Sequence, residues 1–210
     1  MPFAAFVALI ALERAASLPV GISYPVRFAL VALLVIAVAR RYVELRPSFP
    51  FSSTAMGAAV FLIWIAPDSL FGYRHLWPFN NAFVGSPLSA VDSALRHNLP
   101  FIVIRTLGCT LLVPVIEELF WRAWFMRWLI KPHFQTIPFG AYGRTAFWTV
   151  AVLFAVEHGP YWEVGLAAGI LYNWWAVRTH SLADCILAHA TTNGLLSAYV
   201  LVSGHWEYWL

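Results

Sequence analysis

Residues 100–130 read PFIVIRTLGCTLLVPVIEELFWRAWFMRWLI. The run is long and apolar enough to cross a membrane, because a hydrocarbon core about 30 Å thick needs roughly 20 apolar residues in a helix. It nevertheless contains two adjacent acids, Glu117 and Glu118, and three arginines, of which Arg105 and Arg122 lie well inside the run and Arg127 near its end. Ionisable groups inside a bilayer are costly and are candidates for function. The stretch therefore predicts a membrane helix that also carries chemistry.

The composition of the whole chain supports a membrane protein. Hydrophobic residues make up 61% of the 210 residues and charged residues 11%, and the mean hydropathy is +0.72. A soluble domain carries about a quarter charged residues, so a water-facing surface is excluded. The basic residues behind the net charge of +3 are scattered, which argues against nucleic-acid binding. Cys109 and Cys185 lie in apolar runs, where cysteine is typically a small buried hydrophobe and not part of a disulfide framework.

Seven segments have about the length and apolarity of a membrane span. They lie near residues 2–20, 26–44, 54–72, 100–130, 145–160, 162–178 and 182–203. The first is interpreted as a span and not a signal peptide, because no basic residue precedes it and Glu13 and Arg14 interrupt its end. No repeat or linker divides the chain. We predict one all-α polytopic membrane helix bundle over residues 1–210, with N-terminal spans in 1–99 and the motif-bearing spans in 100–203.

The basic residues that flank these spans indicate an orientation. With a cytoplasmic N-terminus, seven basic residues fall inside and four fall outside or at the outer edge, as the positive-inside rule requires. The inner set is Arg40, Arg41, Arg46, Arg127, Lys131, Arg144 and Arg178, and the outer set is Arg14, Arg27, Arg74 and Arg96.

Two acids in the fourth span have different surroundings. Glu118 and Arg122 are four residues apart with the acid first, which favours an ion pair on one helix face. Glu117 points about 100° away and has no partner at helical spacing. The pair of Glu118 and Arg122 indicates a structural role, whereas the lone carboxylate of Glu117 is a candidate general base.

Later spans carry further polar residues at a similar depth. His158 follows Phe154 by four residues, and His189 precedes Asn193 by four. Taken alone, each fits a hydrogen-bonded histidine or a packing contact between helices. Counted at 1.5 Å per residue from the inner ends, however, Glu117, His158, His189 and Asn193 all lie about 14 to 21 Å deep. We expect these four to converge, and we expect Glu157 and Asp184, nearer the span ends, to face water.

This residue set is sufficient for amide hydrolysis. A carboxylate and an imidazole can deprotonate water, and a second imidazole with an amide can stabilise an oxyanion. Two alternatives stay open. Cys185 stands one turn before His189, as a thiol nucleophile and its base would. Glu117, His158 and His189 could together bind zinc, although no His-Glu-x-x-His helix is present.

Three motifs occur in order on successive hydrophobic segments: Glu-Glu-x-x-x-Arg at residues 117–122, Phe-x-x-x-His at 154–158 and His-x-x-x-Asn at 189–193. This order resembles the CAAX-protease and bacteriocin-processing family of intramembrane glutamate endopeptidases. Eukaryotic CAAX enzymes usually carry a second histidine shortly after the Phe-x-x-x-His motif, and this chain has Gly159-Pro160-Tyr161-Trp162 there. The resemblance is therefore to the prokaryotic branch.

The resemblance implies a role for each matching residue. Glu117 and His158 would activate water without a metal or cofactor, His189 and Asn193 would form the oxyanion hole, and Glu118 and Arg122 would brace the helix.

The resemblance also implies the setting in which the chain works. Substrates would be proteins or peptides, including lipid-modified or membrane-anchored ones, and membrane lipids but no nucleic acid would be partners. The location would be a cell membrane, the inner membrane of a prokaryote, crossed several times. A non-catalytic binding or immunity protein and a small transporter remain alternatives that would use the same polar cavity.

Overall fold

The computed structural model describes residues 2–38, 46–89 and 91–209. Within these ranges the chain forms seven helices and no strand. They are α1 (Pro2–Ala15), α2 (Val20–Val38), α3 (Pro50–Phe71), α4 (Leu99–Ile130), α5 (Arg144–Val156), α6 (Trp162–Thr179) and α7 (Leu182–Ser203). The all-α bundle predicted from the sequence is confirmed. Arg40 and Arg41, and the last residues of the predicted second span, lie outside the described residues.

Four of these helices, α2, α3, α4 and α7, are long and apolar enough to cross a membrane, and α5 is apolar but shorter. Helix α2 begins at Val20, earlier than expected, so that Pro25 lies inside it. Membrane helices tolerate proline in this way. Large apolar side chains such as Ile22, Leu33 and Leu62 are exposed on the outer surface, as lipid-facing positions should be.

Helices α3 and α7 pack closely against each other at Gly57. A β-carbon at this position would lie 2.2 Å from the carbonyl oxygen of Ala188, so only glycine allows the two backbones to approach this closely. Thr192 on α7 bridges this contact by donating a hydrogen bond of 2.8 Å to the carbonyl oxygen of Gly57 on α3. Small residues at such contacts are typical of membrane helix packing.

Asp184 links the N-terminal ends of the same two helices. The prediction that it faces water is wrong. Its side chain is fully buried and accepts hydrogen bonds from the backbone N–H groups of Ser48 and Phe49 at 2.7 and 2.8 Å, and from the Ser53 hydroxyl at 2.6 Å. These donors lie just before and within the first turn of α3, where backbone N–H groups lack helical partners. The carboxylate therefore caps a helix that is more than 130 residues distant in the chain.

Helix α4 contains two π-helical turns, Gly108–Leu112 and Trp121–Phe125, on either side of the α-helical segment Val113–Phe120. A π turn widens the helix and shifts the direction of the side chains that follow it, and such turns are frequent at functional sites. The segment between them carries Glu117 and Glu118. The two turns therefore set how these acids face the rest of the bundle.

Candidate active site

A cavity of about 230 Å³ lies inside the bundle between α3, α4, α7 and the turn after α5. Glu117, His158, His189 and Asn193 all line it. The four residues that the sequence analysis placed at a similar depth therefore share one cavity. The cavity is otherwise enclosed mainly by aromatic and aliphatic side chains, including Trp64, Phe154 and Tyr172.

Glu117 is the carboxylate that faces this cavity. Its side chain is nearly buried, and its Oε2 atom has no hydrogen-bond partner among the described residues. Nε2 of His189 lies 4.0 Å from Oε2, which is longer than a hydrogen bond. A buried carboxylate oxygen without a protein partner is able to bind and deprotonate a water molecule.

Glu118 points instead into a buried polar network. Its Oε1 atom accepts a hydrogen bond of 2.9 Å from Nη1 of Arg122, so the ion pair that the spacing indicated is present, and both side chains are fully buried. Nε of Arg122 donates to Oδ1 of Asn173 at 3.0 Å, and its guanidinium lies 4.5 Å from the ring centre of Phe154. This network joins α4 to α6 and to the end of α5.

His189 is held by the same oxygen of Glu118. Its Nδ1 atom lies 2.8 Å from Oε1 of Glu118, and its ring stacks on Tyr172 with 5.0 Å between centres. Because an ionised carboxylate can only accept, Nδ1 carries the proton in this bond. Nε2 is then the nitrogen that can engage a ligand. This link is not predicted by helical spacing, because 71 residues separate Glu118 and His189.

His158 lies in a turn and not, as predicted, within a span that runs to residue 160. Helix α5 ends at Val156, and Gly159 follows with a φ of +53°. The His158 Nδ1 atom lies 2.6 Å from the carbonyl oxygen of Phe154 and must donate to it. Its ring packs edge-on against Trp64 at 5.1 Å. Neutral His158 therefore has a lone pair on Nε2 that can accept a hydrogen bond from water.

Asn193 is oriented by a carbonyl that the π turn leaves unsatisfied. In the turn Gly108–Leu112 the N–H of Val113 bonds to Gly108, and the next residue, Pro114, has no N–H. The carbonyl oxygen of Cys109 therefore lacks a helical donor, and Nδ2 of Asn193 donates to it at 2.9 Å. An amide nitrogen carries two hydrogens, so the second one remains to bind a substrate oxygen.

Several supporting residues were not singled out from the sequence. Asn173 binds both Arg122 and the carbonyl oxygen of Phe147, the latter at 2.8 Å through Nδ2. Tyr172 stacks on His189 and donates a hydrogen bond of 2.7 Å to Thr192. The only sequence signal for Asn173 is that it is an uncharged polar residue within an apolar helix.

The two alternative chemistries have weaker geometric support. Among the residues that the structure describes, no three His, Cys, Asp or Glu side chains are close enough to share a metal ion. Cys185 is fully buried in the hydrophobic core and does not line the cavity. A thiol at this position has no path to a substrate in this arrangement.

Residues 99–195 match the family model described as type II CAAX prenyl endopeptidase Rce1-like. This segment is similar to the Rce1-like family. The match covers a little under half of the chain and contains all six site residues, and it confirms the resemblance drawn from the three motifs. A comparison with curated proteins returned no match, and neither did one with solved structures.

The family match and the apolar helices together indicate where the protein acts and the general kind of reaction. The chain is a multi-pass membrane protein, and the match supports proteolytic activity on protein or peptide substrates at the membrane.

Proposed function

We propose that this chain is a metal-independent intramembrane endopeptidase in which Glu117 is the general base. The observation that carries the proposal is the position of Oε2 of Glu117, a buried carboxylate oxygen that has no hydrogen-bond partner in the part of the chain that the structure describes and lines a cavity with two histidines and an asparagine. Oε2 removes a proton from a bound water while Nε2 of His158 accepts the other hydrogen of that water. The resulting hydroxide attacks the carbonyl carbon of the substrate peptide bond.

The oxyanion that forms is stabilised by two donors from α7. The second amide hydrogen of Asn193 is one, and Nε2–H of His189 is the other. Because Nδ1 of His189 already donates to Glu118, Nε2 donates only when the ring is an imidazolium. Glu117 then transfers its proton to the departing amine, which restores the carboxylate.

The network behind these groups acts as a positioning network. Glu118 bonds to both Arg122 and His189, and Arg122 in turn bonds to Asn173. A hydrolytic site needs its donors held in place before the transition state forms, because that avoids reorganisation during the reaction. We assign Glu118 and Arg122 this positioning role, and we assign the protein to a prokaryotic cell membrane on the strength of its motif pattern.

The deciding experiment compares membranes that contain the wild-type protein with membranes that contain Glu117→Gln. New peptide N-termini are quantified by mass spectrometry, and cleavage products that appear only with the wild type are the expected result. If both membranes show the same peptide N-termini at equal protein levels, the chain is not a peptidase, and a non-catalytic binding protein or a transporter would be favoured. Cys185→Ser serves as a matched control within α7, and we expect it to yield the wild-type products.

A further inference from the structure

The chain folds back over the cavity after α7. Helix α7 ends at Ser203, and Gly204 adopts a left-handed conformation with a φ of +76°, which reverses the chain direction. The following segment, His205–Trp209, is called the C-terminal plug here. Its residues Tyr208 and Trp209 are 8% and 3% exposed, and both line the cavity that contains Glu117. The plug thus forms one wall of the candidate active site.

The plug is held by side-chain contacts to several parts of the bundle. The Tyr161 hydroxyl donates to the carbonyl oxygen of Glu207 at 3.1 Å, and the rings of Tyr161 and Tyr208 lie 5.4 Å apart. The Ser89 hydroxyl donates a longer bond of 3.4 Å to the carbonyl oxygen of Trp209, whose ring centre lies 5.6 Å from the guanidinium of Arg105. None of these contacts is covalent, and a β-carbon at Gly204 would touch nothing within 4 Å, so no other residue packs against this turn at that position.

The space that the plug leaves is small for a peptide. The cavity measures about 230 Å³, whereas ligand pockets typically measure about 300–1,000 Å³. An extended chain of several residues therefore does not fit beside Tyr208 and Trp209. The two side chains are large and aromatic, so the volume that they occupy suits a substrate with large apolar side chains.

We propose that the C-terminal plug occupies the substrate path and is displaced by peptide substrates that carry large apolar side chains near the cleaved bond. The second half of this statement rests on the proposed function, whereas the obstruction itself does not. A substrate that binds only the open form has its apparent affinity reduced by the fraction of molecules that are open. Loosening the plug should therefore lower KM and leave kcat nearly unchanged.

The native cysteines test the obstruction without reference to catalysis. Cys109 lines the cavity, whereas Cys185 is fully buried in the core. We expect N-ethylmaleimide to modify Cys109 slowly in the wild type and at least about tenfold faster in Tyr208→Ala/Trp209→Ala, as an open fraction near a tenth would give. Cys185 should stay unmodified in both proteins, which shows that the fold is intact. Trp77→Ala removes an exposed tryptophan elsewhere and should label like the wild type.

Equal Cys109 labelling in the wild type and the double variant would overturn the plug. If both cysteines become reactive, the double variant has unfolded, and Tyr161→Phe takes its place. That change removes only the bond to Glu207, so Cys109 alone should label faster, and unchanged labelling would again overturn the plug.

A kinetic measurement separates the plug from the proposed function. With an apolar peptide substrate, the double variant should show a KM lowered about tenfold, and an added peptide of sequence HWEYW should inhibit it competitively. Faster Cys109 labelling without any peptide cleavage would preserve the obstruction and reject the peptidase. Cleavage with unchanged KM and no inhibition by the peptide would reject displacement of the plug by substrate.

Discussion

Oε1 of Glu118 lies 2.8 Å from Nδ1 of His189, and through this bond α4 orients a histidine on α7. The same oxygen accepts a hydrogen bond from Arg122. One carboxylate oxygen thus holds both Nδ1–H of His189 and the guanidinium of Arg122 in place. The adjacent acid, Glu117, faces the cavity with an oxygen that no other described residue bonds to. The two adjacent glutamates therefore differ in their surroundings: Glu118 positions other side chains, and Glu117 is free to contact a ligand in the cavity.

Glu117→Gln should abolish activity while the bundle stays folded. The substitution preserves shape and removes the proton acceptor, and loss of a general base costs about 10²–10⁴ in rate. The measurement is kcat on a peptide substrate together with the melting temperature in detergent. A variant that keeps more than about a tenth of the wild-type kcat would remove Glu117 from the role of base.

Arg122→Ala should destabilise the protein. It leaves Glu118 as a buried charge without its cation, and breaking a buried pair in this way costs about 3–5 kcal/mol. Thermal unfolding in detergent should show a clearly lower melting temperature, whereas Arg178→Ala, at an exposed position on α6, should melt like the wild type. Equal melting of Arg122→Ala and wild type would mean that the pair contributes nothing to stability.

Asn193→Ala should lower kcat by about 10²–10³ with KM little changed, which is the effect of losing one oxyanion donor. Asn193→Asp should be at least as harmful, because a carboxylate cannot donate and repels the oxyanion. Both variants also lose the bond to the carbonyl oxygen of Cys109. Melting temperatures measured alongside the kinetics decide the matter, since a stability loss that accounts for all the lost activity would leave Asn193 a packing residue.

Asp184→Ala should lower stability and leave the chemistry of the remaining folded protein intact. The carboxylate accepts three hydrogen bonds at the start of α3, and bonds to a charged group contribute about 1.5–3 kcal/mol each when removal leaves a buried partner. We expect a reduced melting temperature and a normal kcat per folded molecule. Ser53→Ala removes one of the three donors and should cost less. A kcat loss without a change in melting would assign Asp184 to catalysis.

Chelators should not inhibit the enzyme, because Glu117 and His158 are proposed to hold the water directly. Purified protein should also lack stoichiometric zinc by metal analysis. If the protein instead binds one zinc ion, and if activity is lost when a chelator removes the zinc and returns when the zinc is restored, a zinc site formed by Glu117, His158 and His189 would be favoured.

The sequence by itself determined that the chain is a helical membrane bundle and which residues are candidates for the site. The length of an apolar run and the cost of a buried charge are local properties, so both can be recognised within a single segment of the sequence. The same holds for the pair of Glu118 and Arg122, since a spacing of four residues places two side chains on one helix face.

Only the tertiary structure decided what each polar residue contacts. The bond between Glu118 and His189, the capping of α3 by Asp184 and the closure of the cavity by Trp209 all join residues far apart in the chain. Such contacts depend on helix rotation, on the two π turns of α4 and on the close approach at Gly57. Helical periodicity encodes none of these, because each arises from how several helices pack together.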